Sequence, residues 1–374
     1  MISLESPSAT LSTLAPRAVG ASPCQLCGNP ESVVLANRGR HGKPLRTVIC
    51  LQCGLVWSDP LPHNPREFYT QHYRLHYKGT YTPKPKHILR AGRLALARCQ
   101  TIRHLLPTPQ TILDVGSGGG EFIYLLHKLG HTVQGIEPNR GYAEYAESEY
   151  GLQVHIGFAQ DVALPEEHFD LITMWHVLEH TERPAEVLLK LHRLLKPSGI
   201  LVIEVPNVEA TCQAPQNTFH EAHIFNFNLS TLQKLAEKTG FTGIGQLTSD
   251  DGGNITLFAR KNAEKNGAPA ALAIPGNAES IIRIVRGHTP LKHYTTAHPY
   301  RRLWHRLRQY FAEQYGTRDF TSGKALLDQL YAPTIRRHVH HGTPHQEPAC
   351  QTPPMTRFRN QVTAYMRHHI SRQV

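Results

Sequence analysis

The stretch Thr111-Ile-Leu-Asp-Val-Gly-Ser-Gly-Gly-Gly-Glu-Phe122 decides the fold of this chain, because an apolar run that ends in an acid leads straight into a glycine-rich segment. The amphipathic pattern after it predicts a helix, so the order is strand, tight turn and helix. Gly116, Gly118 and Gly120 stand at alternate positions of the turn. A missing Cβ at such positions lets the backbone bend sharply and come close to a ligand.

A second strand is predicted by Thr132-Val-Gln-Gly-Ile-Glu137, whose acid comes 21 residues after Gly116. A carboxylate in this place can accept hydrogen bonds from both hydroxyls of a ribose. Asp114 comes two residues before Gly116, and no Lys-Ser or Lys-Thr pair follows the glycines. The pattern therefore favours a nucleoside with a cationic amino-acid tail over a phosphate-rich nucleotide.

Strands alternate with helices through the rest of this region. The predicted elements are strands at 152–156, 169–175 and 199–205, a helix at 184–195, a helix opened by a capping box of Ser230 and Gln233, and strands at 241–248 and 254–260. No helix is predicted between the last two strands. The pattern therefore indicates a parallel α/β sheet that ends in a hairpin.

Residues 86–260 resemble the class I S-adenosylmethionine-dependent methyltransferases, whose Rossmann-like α/β sheet has seven strands with the last antiparallel. The motifs that carry the resemblance are Leu113-Asp-Val-Gly-Ser-Gly-Gly-Gly120, Gly135-Ile-Glu-Pro138, Phe169-Asp-Leu-Ile172, Val177-Leu-Glu-His180, Leu194-Leu-Lys-Pro-Ser-Gly199 and Val205-Pro-Asn207. A Rossmann-type dehydrogenase is the alternative, but no second dinucleotide-binding half is visible in the sequence.

The resemblance implies S-adenosylmethionine as the cofactor and assigns residues to it. The glycines would line its methionine and ribose side, Glu137 would hold the ribose, the residues after the third strand would lie by the adenine, and the end of the fourth strand would close the pocket. The implied set is Asp114, Gly116, Gly118, Gly120, Glu137, Gln160, Asp161, Trp175 and His176.

The segment His176-Val-Leu-Glu-His180 places three groups that can bind a metal or move a proton at helical spacing. Some ubiquinone-pathway O-methyltransferases, which this chain resembles here, have Glu-x-x-Glu-His in this place and bind a divalent cation. His176 replaces the first of those glutamates. The alternative is that Glu179 and His180 fix the loop by hydrogen bonds.

A second cluster, Phe219-His-Glu-Ala-His223, follows the fifth strand on the expected acceptor side. Sugar C-methyltransferases have a similar cluster with a tyrosine, which handles protons. Phe219 cannot ionise, so that role does not transfer. His220 and His223 remain candidate bases, and a packing or capping role for His223 is the alternative.

Two matched Cys-x-x-Cys-Gly knuckles, formed by Cys24 and Cys27 and by Cys50 and Cys53, are separated by 22 residues. Four thiolates at this spacing predict one tetrahedral zinc, with a small hairpin between the pairs. A disulfide framework is the alternative. Residues 24–81 are similar to the zinc-bearing amino-terminal regions of sugar C-methyltransferases, and they include an aromatic segment at 68–81.

The amino-terminal residues 1–23 are rich in Ser, Ala, Thr and Pro and lack the basic start and apolar core of a signal peptide, so a flexible terminus is predicted. The other cysteines, Cys99, Cys212 and Cys350, are scattered, which fits a reducing cytoplasm. No apolar run approaches the length that spans a bilayer. The sequence therefore predicts a cytoplasmic protein.

The overall charge of +11 is divided along the chain. Residues 111–260 hold 9 Lys and Arg against 19 Asp and Glu, whereas residues 1–110 hold 14 against 4 and residues 261–374 hold 17 against 6. The basic flanks either dock on the acidic centre or bind an anionic partner. Docking is favoured for a helix at 300–310 whose Leu303, Leu307 and Tyr310 share one face. The carboxy-terminal extension, 261–374, is predicted to be partly helical, with a flexible proline-rich part at 333–355.

These observations favour a methyltransferase that acts on a hydroxyl or carbon of a small-molecule or carbohydrate-like acceptor. An RNA methyltransferase is the first alternative, although Met174-Trp-His176 stands where base-amine methylases have an Asn/Asp-Pro-Pro-aromatic motif. A zinc-dependent interaction protein on a degenerate scaffold is the second. Intact glycines and the intact Asp114 and Glu137 argue against it.

Overall fold

Two sheets organise the residues that the computed structural model describes, which are 18, 20–61, 82–262, 272–317 and 320–341. The predictions for most of residues 1–23, for the aromatic segment 68–81 and for residues beyond 341 lie outside these ranges. The described part divides at residue 331, and residues 332–341 are the end of one helix. None of the described helices combines the length and the apolar character that a bilayer crossing needs.

The larger sheet has seven strands in the order β10-β11-β8-β7-β4-β5-β6. Their bounds are β4 Thr111–Val115, β5 Thr132–Glu137, β6 Gln153–Ile156, β7 Phe169–Trp175, β8 Leu195–Pro206, β10 Phe241–Thr248 and β11 Asn254–Lys261. Strands β4 to β8 pair in parallel, and β11 runs antiparallel to both β8 and β10. The predicted α/β sheet with its final hairpin is confirmed.

Nine helices are found in the described residues. They are α1 Pro85–Ile102, α2 Glu121–Lys128, α3 Arg140–Tyr150, α4 Pro184–Leu194, α5 Leu229–Lys238, α6 Asn277–Gly287, α7 Pro290–Tyr294, α8 His298–Tyr315 and α9 Gly323–His341. Central strand residues such as Ile112, Leu113 and Ile172 are fully buried, as expected for parallel strands covered by helices on both faces.

The register of the parallel strands brings the predicted motifs to one edge. Val115 pairs with Ile136 of β5 and with Met174 of β7, so these three strands end at the same level. The glycine turn after β4, the acid that ends β5 and the loop after β7 therefore lie side by side. Open α/β sheets bind their ligands at this edge.

The smaller sheet is antiparallel and has the order β1-β2-β3-β9. Strands β1 (Ser32–Arg38) and β2 (Pro44–Cys50) form the hairpin predicted between the cysteine pairs, and β3 is Val56–Ser58. The fourth strand, β9 (Phe225–Asn226), comes from the segment just after the second histidine cluster. The cysteine module is therefore joined to the larger domain by a shared sheet.

The start of α5 differs from the predicted capping box. The cap residue is Asn228, whose side chain accepts from the backbone N–H of Thr231 at 3.0 Å, while the Thr231 hydroxyl accepts from the Asn228 N–H at 3.1 Å. Ser230 lies inside the helix, and the Gln233 amide donates to Gln246. The Asn228 side chain also donates to Asn277 at 2.7 Å, which connects the start of α5 to the start of α6.

The carboxy-terminal region corrects two expectations. The helix predicted at 300–310 exists as α8, but Leu303, Leu307 and Tyr310 are exposed, so this face does not dock on the sheet. Helix α9 continues through Pro333 to residue 341, so the described start of the segment predicted to be flexible is helical.

Candidate active site

The glycine turn after β4 has the backbone that its sequence predicts. Gly116 and Gly118 have φ angles of 79° and 59°, in the left-handed region that favours glycine. The N–H groups of Gly116 and Ser117 donate to the Ile136 carbonyl at 2.7 and 3.0 Å, and the Gly118 N–H donates to Glu137 Oε2 at 2.9 Å. A Cβ at Gly116 would collide with Val177. These hydrogen bonds thus fix the turn against the end of β5 in an open conformation.

A cavity of about 430 Å³ lies over this turn at the carboxyl ends of β4, β5 and β7. Six of the residues assigned to the cofactor line it, namely Gly116, Gly118, Glu137, Gln160, Trp175 and His176. Glu137 is fixed by two backbone amides, because Asn139 N–H donates to its other oxygen at 3.1 Å.

Three residues assigned to the cofactor do not line the cavity. Asp114 is buried beneath the turn and accepts from the Thr173 hydroxyl at 2.7 Å, and burial raises its pKa to about 7. Gly120 is left-handed at φ 88°, and a Cβ there would lie 2.7 Å from Ala146, so its role is helix packing. Asp161 closes a turn through its backbone N–H to the Phe158 carbonyl.

Arg98 of α1 lines the cavity, and the sequence analysis missed it. Its guanidinium carbon lies 5.0 Å from the ring centre of Trp175, and within the described residues it forms no salt bridge, while its Nε and the Trp175 Nε1 have no hydrogen-bond partner. Burial lowers its pKa, and the charges of Asp114 and Glu204 oppose that effect. Four arginines occur near this helix, and no local motif distinguishes Arg98 from the others.

His176 lies at the cavity between two carboxylates. Its Nδ1 is 3.3 Å from Glu179 Oε1 and its Nε2 is 3.2 Å from Glu204 Oε1. Burial lowers its pKa, but Glu179 and Glu204 outweigh burial and raise the pKa to about 9. His176 is therefore an imidazolium at neutral pH, with both ring nitrogens directed at carboxylates.

Glu179 is buried and sits among three histidines. Although burial raises its pKa, His180 and His176 lower it to about 2, so it is ionised. His180 lines the cavity and donates from Nδ1 to the Ala222 carbonyl at 2.7 Å, which leaves Nε2 3.7 Å from Glu179 Oε1. The ring centre of His223 lies 4.9 Å from that of His180.

A metal ion could be held by Glu179, His180 and His223, each of which offers one ligand atom within 4.8 Å of the others. The sequence motif suggested His176 as the third ligand, but its two ring nitrogens face Glu179 and Glu204, and His223 completes the group in the structure. Burial lowers the pKa of His223 to about 3, so its imidazole is neutral near pH 7, which suits a metal ligand and makes it a weak base.

His220 faces a different space from the other candidate bases. It lines a second cavity of about 310 Å³ together with Arg40, His41 and Lys43. Burial, followed by the charge of Arg40, lowers its pKa to about 4. Its Nδ1 accepts from the Ala222 N–H at 3.0 Å. His220 therefore contacts His223 at a ring distance of 5.2 Å but does not reach the first cavity.

The four knuckle cysteines converge. Cys24 Sγ lies 3.5 Å from Cys53 Sγ, and Cys27 Sγ lies 3.4 Å from Cys50 Sγ. All four are free thiols within 4.8 Å of one another, and the disulfide alternative is not what the structure has. Zn–S bonds of about 2.3 Å in a tetrahedron need sulfurs at nearly this spacing. Hydrogen bonds among the four thiols raise the pKa of Cys24 and Cys53 and lower the pKa of Cys27 and Cys50, so a cation is needed for all four to be thiolates together.

The cysteine cluster is fastened to elements near the first cavity. Asn277 of α6 donates to the Cys53 carbonyl at 2.8 Å, and Lys238 of α5 donates to the Leu26 carbonyl at 2.7 Å. Gln25 donates to the carbonyl of Glu182, which lines the first cavity. The cluster therefore supports one wall of that cavity indirectly, through the hydrogen bond from Gln25 to Glu182.

Residues 87–246 match a family model described as "Methyltransferase domain". A ubiquinone biosynthesis O-methyltransferase of Azorhizobium caulinodans is 28% identical over 136 residues, which are 33% of this chain and 54% of that protein. A probable S-adenosylmethionine-dependent methyltransferase of Mycolicibacterium smegmatis is 23% identical over 159 residues, or 38% of this chain and 61% of that protein. The chain thus spans between half and two thirds of these relatives.

Among solved structures, a methyltransferase from Thermotoga maritima described as a possible histamine N-methyltransferase covers 51% of this chain and 99% of its own. Its TM-score is 0.42 and its identity 20%.

Proposed function

We propose that the chain is a class I S-adenosylmethionine-dependent methyltransferase that transfers a methyl group from S-adenosylmethionine to a hydroxyl or carbon of a small-molecule or carbohydrate-like acceptor, which the methyltransferase-domain match over residues 87–246 supports. One observation carries the proposal: six residues assigned to the cofactor from motifs spread over 60 residues meet in one cavity. The bound cofactor would supply an electrophilic methyl on its sulfonium.

The residues of the first cavity suit the parts of that cofactor. Glu137, held by two backbone amides, would accept from the ribose hydroxyls, and Gln160 would lie by the adenine. Arg98 would pair with the carboxylate of the methionine tail, because a cation without a salt bridge in a cavity wall calls for an anion. The left-handed turn at Gly116 and Gly118 leaves room for the tail.

We assign removal of the proton from a hydroxyl acceptor to the histidines beside this cavity. His176 is already protonated at neutral pH, so it would orient Glu179 and the acceptor and would not accept a proton. His180 lines the cavity and would take the proton directly. Alternatively, a divalent metal held by Glu179, His180 and His223 would lower the pKa of the acceptor hydroxyl, and His180 would then be a ligand and not a base. The similarity to ubiquinone biosynthesis O-methyltransferases favours oxygen over carbon as the methylated atom.

A structural zinc on Cys24, Cys27, Cys50 and Cys53 completes the proposal. None of the four cysteines lines the first cavity, so the zinc would stabilise the small sheet and take no direct part in methyl transfer.

The function can be tested with methyl-labelled S-adenosylmethionine and bacterial extract separated into small molecules and RNA. We expect label in the small-molecule fraction with the wild type and none with Gly118→Val. If only RNA became labelled, the acceptor would be RNA and not a small molecule. A lack of label in every fraction, from protein shown to bind the cofactor, would contradict the proposed transfer.

A further inference from the structure

Helix α8 is attached to the rest of the chain by its polar side. Glu313 is buried and accepts two hydrogen bonds from Arg90, both of 2.9 Å. Gln309 donates to the same carboxylate at 2.7 Å, and Arg302 reaches the Cys212 carbonyl at 3.5 Å. At 100° per residue these three positions of α8 fall within one narrow sector of the helix. Polar contacts therefore fix which face of α8 points inward.

The opposite face of α8 is apolar, aromatic and exposed. Exposed fractions range from 44% for Leu307 to 64% for Trp304, and the face consists of Tyr300, Leu303, Trp304, Leu307, Tyr310 and Phe311. These six side chains cover about 120° of the helix. Surface helices of globular proteins normally turn such a stripe toward the core. This outer face of α8 is thus built for a contact that the described residues do not make.

Basic side chains border the outer face on both sides. Arg301 and Arg308 lie along one edge and Arg306 along the other, and all three are exposed. Among the described residues, none of the three has a salt bridge, and the single acid of α8, Glu313, lies on the buried side. The outer face therefore combines an apolar centre with a positively charged border.

We propose that the outer face of α8 binds the surface of a bilayer that contains anionic lipids. Leucine and aromatic side chains enter the headgroup boundary while bordering arginines meet lipid phosphates, which is the arrangement of interfacial helices. Trp and Tyr favour this depth. A second copy of the chain would bring arginine borders against each other. RNA would pair with the arginines but would leave the leucines without an apolar partner. The inference does not depend on the proposed methyl transfer.

Vesicle binding tests the proposal. The full-length protein is mixed with vesicles of phosphatidylcholine alone or of an equimolar mixture with phosphatidylglycerol, and binding is measured by flotation. We expect binding to the anionic vesicles with a blue shift of tryptophan emission. Trp57 and Trp175 are 2% and 5% exposed, so the shift would report Trp304. Leu303→Ser with Leu307→Ser, or Arg301→Glu with Arg308→Glu, should weaken binding about tenfold or more.

Matched controls distinguish binding by the outer face of α8 from nonspecific adsorption to vesicles. Leu189→Ser removes an apolar side chain with the same 44% exposure as Leu307, and Arg260→Glu reverses an exposed charge on β11; both should bind vesicles like the wild type. Circular dichroism checks that each variant is folded. Equal binding by the α8 variants and the wild type would overturn the proposal. A lack of binding to anionic vesicles by the wild type would also overturn it. A dimer in sedimentation, or RNA binding, that the same variants abolish would then identify the partner of this face.

Discussion

The proposed role of Arg98 gives the most specific prediction about the donor, because Arg98 would pair only with the carboxylate of the methionine tail. Arg98→Met should weaken S-adenosylhomocysteine binding about 10- to 100-fold, since a hydrogen bond to a charged group contributes roughly 1.5 to 3 kcal/mol. Methylthioadenosine lacks the amino-acid tail, so its affinity should change little. Calorimetry with both ligands measures the difference.

Arg98→Lys is the matched control, because it keeps the charge and should lose less affinity for S-adenosylhomocysteine than Arg98→Met. Equal weakening of both ligands by Arg98→Met would show that the side chain shapes the cavity and does not pair with the carboxylate.

Asp114 predicts a pH dependence of stability. Burial raises its pKa from 3.8 to about 7 in the folded protein. Its contribution to stability is therefore complete below about pH 4 and is lost as the pH rises to about 7, by up to roughly 4 kcal/mol. Asp114→Asn keeps an acceptor for Thr173 but cannot ionise. The free energy of unfolding in urea, measured for both proteins at several pH values, should fall more steeply for the wild type between pH 4 and 7. Parallel curves would refute the assignment.

At the scale of elements, the loop after β7 and the segment before β9 meet only in the fold. The structure brings His223 close to Glu179 and His180, although His180 comes 43 residues before His223 in the sequence. The spacing of the sequence pointed to His176 instead, because spacing shows which residues share a helical turn. Spacing does not show that Glu204 approaches His176 from β8.

This cluster can act through a metal or as a metal-free base, and chelation separates the two. If a metal is involved, turnover should stop with chelator and return with magnesium, manganese or zinc, and His223→Ala should raise the metal concentration needed. If His180 is a metal-free base, activity should survive chelation and fall about 10²-fold or more in His180→Ala. His220→Ala is the control, since His220 faces the second cavity. Wild-type rates in His180→Ala and His223→Ala, with and without chelator, would exclude both routes.

Sequence alone predicted the elements that depend on local pattern and missed those that depend on distant contacts. The glycine turn and the strand that ends at Glu137 follow from side-chain size and alternation, and the structure has both. The cap of α5 was assigned to Ser230 although Asn228 and Thr231 form a capping box of their own, so this error was a choice between two local candidates. Arg98 was missed for a different reason, since its place in the cavity depends on how α1 crosses the sheet.

At the scale of the whole molecule, the cysteine cluster joins the amino-terminal sheet to the larger domain through β9, α5 and α6. Protein purified without chelator should contain one zinc per chain, measured by elemental analysis, and Cys50→Ser should lower that content while S-adenosylhomocysteine binding persists. Cys99→Ser, which removes a buried thiol outside the cluster, is the matched control. Zinc-free wild-type protein would contradict the assignment.

Binding of S-adenosylhomocysteine to the intact chain tests the central claim most directly, because the proposed methyl transfer requires the donor in the first cavity. Calorimetry should show one site per chain, weakened in Gly118→Val and in Glu137→Ala by roughly 1 to 3 kcal/mol. Asp161→Ala, at a position that does not line the cavity, should bind nearly as the wild type does. Unchanged affinity in both Gly118→Val and Glu137→Ala, or no binding by the wild type, would contradict the account.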